Sequence, residues 1–151
     1  MIQSGSRYSM HPAYERMGQL QSQQARDYDP DALVQAMFAG KKAGLLPIYQ
    51  SLLEFVLGLG PDVKACPCKT IVPFYRTHVF AELKPATQKR LDVGFCLRDQ
   101  APQGRLMETG GQGRGDRITH RIGLTRPEDI DEEVWHWLQQ AYLRQADPRV
   151  I

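Results

Sequence analysis

The sequence predicts an α+β domain: an antiparallel sheet of about four strands, with N-terminal and C-terminal helices packed on one of its faces. Apolar residues recur at helical spacing in two blocks before residue 58 and in one after residue 127. Between 69 and 97, and again over 117–124, they alternate with polar residues at a period of two. Gly and Pro clusters separate the blocks. The resulting order is helix, helix, three strands, loop, strand, helix, which leaves one sheet face for the helices to cover. A chain of 151 residues, 42% hydrophobic and 24% charged, supports one packed core and excludes wholesale disorder.

Residues 1–28 are rich in Gln, Ser, Arg and Tyr and read as a mobile polar tail, with one weak helix over Tyr14–Ala25, ahead of a single domain over 29–151. Asp29-Pro30-Asp31 supplies a cap and a first-turn proline for a helix over Ala32–Ala39, which Gly40 stops. A second helix over Pro47–Leu57 carries apolar residues on more than one side and ends at Gly58. Strands follow over Lys69–Arg76, His78–Lys84 and Lys89–Leu97. Pro73 removes a ladder donor and places the first of these at an edge or a bulge. Arg98–Asp116 reads as a flexible, glycine-rich excursion, and Arg117–Leu124 as the fourth strand. Thr125-Arg126-Pro127-Glu128 has capping-box spacing for a last helix with Ile130, Val134, Trp137, Leu138 and Ala141 on its buried stripe. Trp135, on the flank, is free to face solvent or a partner.

Several function classes drop out. Nineteen Lys+Arg against 17 Asp+Glu leave a net charge of +2, too balanced for a polybasic binder. The longest apolar run, Phe55–Gly60, is far too short to span a membrane. The first residues lack the apolar core of a secretory signal, and an odd count of 3 cysteines favours a reducing cytoplasm. Cys66-Pro67-Cys68 with His78 and His120 has the residue types of a zinc set, but its C-x-C spacing fits small buried thiols better, so no metal and no cofactor are expected. The Gly110–Gly115 run precedes a strand rather than a helix, and Gly40-Lys41-Lys42 has no Ser or Thr after its lysines, so neither is a phosphate loop. No nucleophile or metalloprotease motif is present in the sequence.

The informative region is the sheet face turned away from the helices. If Val79, Leu83, Val93 and Ile122 point to the helices, alternation places His78, Phe80, Glu82, Arg90, Asp92, Gly94, Thr119, Arg121 and Gly123 opposite. Depending on register, either Phe74 and Arg76 or Pro73 and Tyr75 join them. His120, between Ile118 and Ile122, reads as a core histidine. Arginines for planar anion contacts, an aromatic for stacking and glycines that lower the surface suit an anionic ligand. The same residues also fit an ordinary half-solvated sheet laced by cross-strand ion pairs. Ranked in order, the readings are a non-enzymatic module binding nucleic acid or a phosphorylated or carboxylated small molecule, a protein-interaction or homodimeric assembly module, and an enzyme using His120 or His78.

The features over residues 34–146 resemble a bacterial family of unknown function, sometimes labelled a predicted transport protein. The residues that carry the resemblance begin with Phe38–Lys42, Pro47–Tyr49 and Pro67–Lys69. They continue with Phe80-Ala81, Pro85 through Arg90 to Gly94, Arg105-Leu106 and His120–Leu124. Asp129–Asp131, through Trp137-Leu138 to Ala141-Tyr142, completes them. The resemblance implies no established activity. In that family the domain often follows a small helical domain, and here residues 1–28 take its place; Cys66 and Cys68 depart from its pattern. It directs attention to Lys69, Phe80, Arg90, His120 and Arg121, which match positions of that pattern. With Arg76 and His78 from the sheet face, these form the candidate ligand-binding set.

Overall fold

The computed structural model describes His11, Ala13, Tyr14 and residues 27–145. One antiparallel sheet of six strands contains β1 (Lys64–Ala65), β2 (Val72–Tyr75), β3 (Val79–Pro85), β4 (Leu91–Phe95), β5 (Met107–Glu108) and β6 (His120–Leu124), in the spatial order β1-β2-β3-β4-β6-β5. β2, β3, β4 and β6 are the four strands that alternation predicts. The other two hold two residues each, too few for a period of two to register.

Helices α1 (Pro30–Met37), α2 (Leu46–Leu57) and α4 (Glu132–Arg144) cover one sheet face, and a single turn, α3 (Gly111–Arg114), lies between β5 and β6. Pro30 opens α1, and the Asp29 carboxylate accepts the Ala32 N–H at 3.1 Å, the cap the sequence predicts. The last helix begins later than its capping-box spacing suggests. Thr125 gives both its N–H and its hydroxyl to the Asp129 carboxylate, so it is spent on a local turn, and Asp131 caps α4 by accepting from Val134. Trp135 is not free for a partner: its ring meets Phe55 of α2 edge-on at 5.0 Å. Among the described residues, no helix is long and apolar enough to cross a membrane.

Pro73 lies inside β2 rather than at the sheet edge, and its effect falls on β1. Cys66 donates to the Pro73 carbonyl at 3.0 Å, but proline has no N–H to return. Pairing therefore stops at Ala65, and the Cys66 carbonyl accepts from the Cys68 thiol instead, at 3.2 Å. The outer edge of β1 is also occupied, by part of the segment predicted to be a mobile tail. Ala65 donates to the Ala13 carbonyl at 2.8 Å, the Tyr14 and Tyr49 hydroxyls are 2.6 Å apart, and His11 reaches Glu54. The helix expected over Tyr14–Ala25 lies outside the described residues apart from Tyr14 itself.

A β-bulge changes the face assignment at the start of β3. Phe74 pairs with Ala81, but Tyr75 pairs with Val79, so Phe80 is the extra residue. It turns to the helix side together with Ala81, is 0% exposed, and meets the Tyr142 ring edge-on at 5.7 Å. Val79 takes the alternate position beside Tyr75 and lies outside the core. Phe80 is therefore a core residue and not a stacking plane on the open face.

The Arg98–Asp116 excursion is more ordered than a flexible loop. β5 pairs with β6, Thr109 donates to the Thr119 carbonyl, and α3 is bracketed by Gly110 and Gly115 at φ +84° and +80°. Such angles favour glycine, which explains why the run is glycine-rich without being a phosphate loop.

Candidate functional site

The uncovered sheet face is built in rows by strand register. Glu82, Gly94 and Arg121 stand side by side across β3, β4 and β6, and Lys84, Asp92 and Gly123 form the next row. Gly94 is closely approached: a Cβ there would lie 2.7 Å from the Ile118 Cγ2 and 3.3 Å from the Glu82 Cγ. At Gly123 a Cβ would meet the Arg90 Cδ at 2.9 Å, so the missing side chain lets Arg90 lie flat across the strand. Arg90 donates to Asp92 through Nε at 2.8 Å and Nη2 at 3.4 Å, and Arg121 donates to the same carboxylate at 3.3 Å.

Over these rows sits a cleft of about 420 Å³, lined also by Glu108, Thr109, Arg114 and Asp116 from the glycine-rich excursion and by Ile118 just after it. Arg114 is held by Asp116 at 3.0 Å. Glu82 forms part of the floor and has no hydrogen-bond partner among the described residues. Burial pushes its carboxyl above the ordinary range; Lys84 on the same strand opposes the shift, Asp116 of the excursion adds to it, and the Cys68 thiol also lies within its field.

That environment has a consequence for stability. Because burial favours the neutral carboxyl in the folded chain, stability is highest where Glu82 is protonated and falls as pH rises from the unfolded value near 4.5 through the raised folded one. Glu82→Gln should therefore raise the melting temperature at neutral pH, with the gain closing below about pH 4.5. Thermal scans of both proteins over roughly pH 4 to pH 8 check this.

The expected site residues divide. Arg90 and Arg121 lie together on the open face. Register brings Pro73 and Tyr75 to that face, not Phe74 and Arg76. Arg76 faces the other way, over the Tyr142 ring at 4.1 Å, donating to Asp62 at 2.6 Å and to the Tyr142 carbonyl at 3.2 Å. The Tyr142 hydroxyl, donating at 2.6 Å, and the Arg76 guanidinium hold the Asp62 carboxyl below its usual range. Arg76 is thus a fastener between the β2–β3 turn and α4. His78 donates its backbone N–H to Gln145 at the end of α4 and keeps Nδ1 buried without a partner, away from the cleft. Lys69 is exposed on the β1–β2 loop and does not line the cleft.

His120 is 1% exposed, on the helix side, as a core histidine should be. Its Nε2–H donates to the Gln100 carbonyl at 2.7 Å, which leaves Nδ1 as acceptor for the Thr119 hydroxyl, also at 2.7 Å. It borders a separate hollow with Asp99, Glu108 and Gln112. Thr119 too leaves the open face: at 3% exposure, its oxygen accepts from Leu97 and Arg98. Cys66, Cys68 and Cys96 form no disulfide, and the hydrogen-bonding Cys66 side chain together with burial pushes the Cys68 thiol up. Among the described residues, no three His, Cys, Asp or Glu side chains converge as a metal set.

Sequence reasoning missed Lys84, Arg114 and Asp116, and it put Ile118 on the core face with His120, whereas β6 begins only at His120 and Ile118 lies over Gly94 on the open side. Lys84 shares the strand face of Glu82 and was readable by alternation; Arg114 and Asp116 depend on how the excursion folds back.

Fold and cleft together define a small α+β domain with one open, polar sheet face. The chain belongs to the family described as Domain of unknown function (DUF5655), whose model matches residues 34–145. No curated protein and no solved structure matches it.

Proposed function

We propose that this protein is a non-enzymatic binding module whose open sheet face takes a small molecule carrying a phosphate or carboxylate group. The observation that carries this reading is the pair of guanidiniums held on one carboxylate. Asp92, its side chain 13% exposed, fixes both Arg90 and Arg121, and the trio keeps one net positive charge. Each arginine has five N–H donors, so most of the donors in this trio stay available in a fixed arrangement. Lys84 and Arg114 add charge to the lining of the same cleft.

A small ligand fits better than nucleic acid. Glu82, Asp92, Glu108 and Asp116 balance Lys84, Arg114, Arg121 and the adjacent Arg90, four charges against four, and a polyanion would meet as much repulsion as attraction. Assembly through a sheet edge has less support: β1 and β5, the outermost strands, hold two residues each, and Ala13–Tyr14 sits along β1. The odd number of thiols supports work in a reducing cytoplasm.

Propyl phosphate is a suitable probe. Replacing Arg90 and Arg121 together by Ala should weaken its binding by at least about tenfold, while circular dichroism shows the fold retained. Unchanged affinity would sink the reading. The affinity should fall only modestly with added salt, in contrast to the steep loss of a multi-phosphate contact.

A further inference from the structure

We infer that the ligand of this cleft is a zwitterion, with an ammonium-type donor at one end and a phosphate or carboxylate at the other. This rests on the binding-module reading and adds the chemistry of the second end. The row Glu82–Gly94–Arg121 sets a carboxylate and a guanidinium on either side of a position that has no side chain. Two strand spacings of roughly 4.8 Å put their backbones about 10 Å apart, and both side chains lean over one cleft. Ile118 and the Glu82 methylenes pack over Gly94 and give the floor between them an apolar surface of the width of a short alkyl chain.

The two ends make opposite demands. Arg121 is already committed in part to Asp92, and the donors it keeps call for an anion. Glu82 has no hydrogen-bond donor of its own among the described residues, and Lys84 attracts it across space without forming an ion pair. The Glu82 oxygens open to the cleft, where a donor from outside the chain can reach them and take the place of solvent. A ligand with only an anionic group would satisfy the arginine end and set its charge against Glu82. A ligand that also carries an ammonium group satisfies both ends and brings one unit less negative charge into a balanced cleft than the anion alone.

O-phosphoethanolamine and propyl phosphate differ at one end, where an ammonium replaces a methyl group, and so isolate this contribution. By calorimetric or NMR titration, the wild-type protein should bind phosphoethanolamine about tenfold more tightly than propyl phosphate. Glu82→Gln keeps the shape of the side chain. It should bring the two affinities together by weakening phosphoethanolamine alone, while Arg121→Ala should weaken both. Equal affinities in the wild type, or a preference that survives Glu82→Gln, would overturn the zwitterion inference and leave the binding module standing. Failure of both probes to bind would overturn the two together.

Discussion

Replacing Phe80 by Ala is expected to lower the free energy of unfolding by about 3–5 kcal/mol, the range for removing a fully buried aromatic ring. The side chain is 0% exposed and meets Tyr142 of the terminal helix edge-on, so its removal opens a cavity between β3 and α4. Val79→Ala, one residue earlier but outside the core, should cost about 1 kcal/mol or less. The contrast reads the bulge directly. Strict alternation from Leu83 puts Val79 in the core and Phe80 in solvent, and would reverse the two results. Urea denaturation of both variants measures it, and a Phe80→Ala cost below that of Val79→Ala would contradict the register given for β2 and β3.

The second large effect should come from Thr119→Val, at about 2–4 kcal/mol. Its hydroxyl oxygen accepts N–H groups of Leu97 at 3.0 Å and Arg98 at 2.9 Å and lies 2.7 Å from the His120 Nδ1. Valine keeps the shape but removes the acceptor for the Leu97 and Arg98 N–H groups and the hydroxyl beside the His120 Nδ1, and Leu97 and His120 are buried. Arg98 adds to the cost: at φ +54° it holds a left-handed backbone that non-glycine residues avoid, and its N–H bond to Thr119 is part of what keeps it there. Thr119→Ser retains the oxygen and should lose about 1 kcal/mol or less. If valine proves as harmless as serine in urea denaturation, the Thr119–His120 network does not hold the β4–β5 connection.

The parts of the fold written in local periodicity are the parts the sequence discloses. The Asp29-Pro30 start of α1, the buried sides of α2 and α4 and the four longer strands need only nearest-neighbour patterns to be seen. The misplaced features depend on pairing. Phe80 turns inward because β2 and β3 are out of step by one residue, which neither strand reveals alone. Thr125 has ideal cap spacing, yet Asp129 takes its donors and Asp131 takes over the cap. Arg76 looks like a face residue until the turn after β2 brings it to Tyr142 and Asp62.

The same distinction runs through the site. Glu82, Asp92, Gly94, Arg121 and Gly123 were placed on one face by alternation, and register confirms that placement. Arg114 and Asp116 are not, because nothing local in a glycine-rich stretch says which side of the sheet it will fold against, and Ile118, which alternation puts toward the helices with His120, precedes β6 and lies over Gly94 instead.

A titration of ¹⁵N-labelled protein with propyl phosphate, followed by two-dimensional NMR, tests the central claim most directly. The binding-module account predicts saturable shifts concentrated at the amides of Gly94, Arg121 and Gly123, and their loss when Arg90 and Arg121 are replaced by Ala. Silent amides at those three positions, or shifts gathered instead in the groove beside His11, Tyr49 and Glu54, would contradict it.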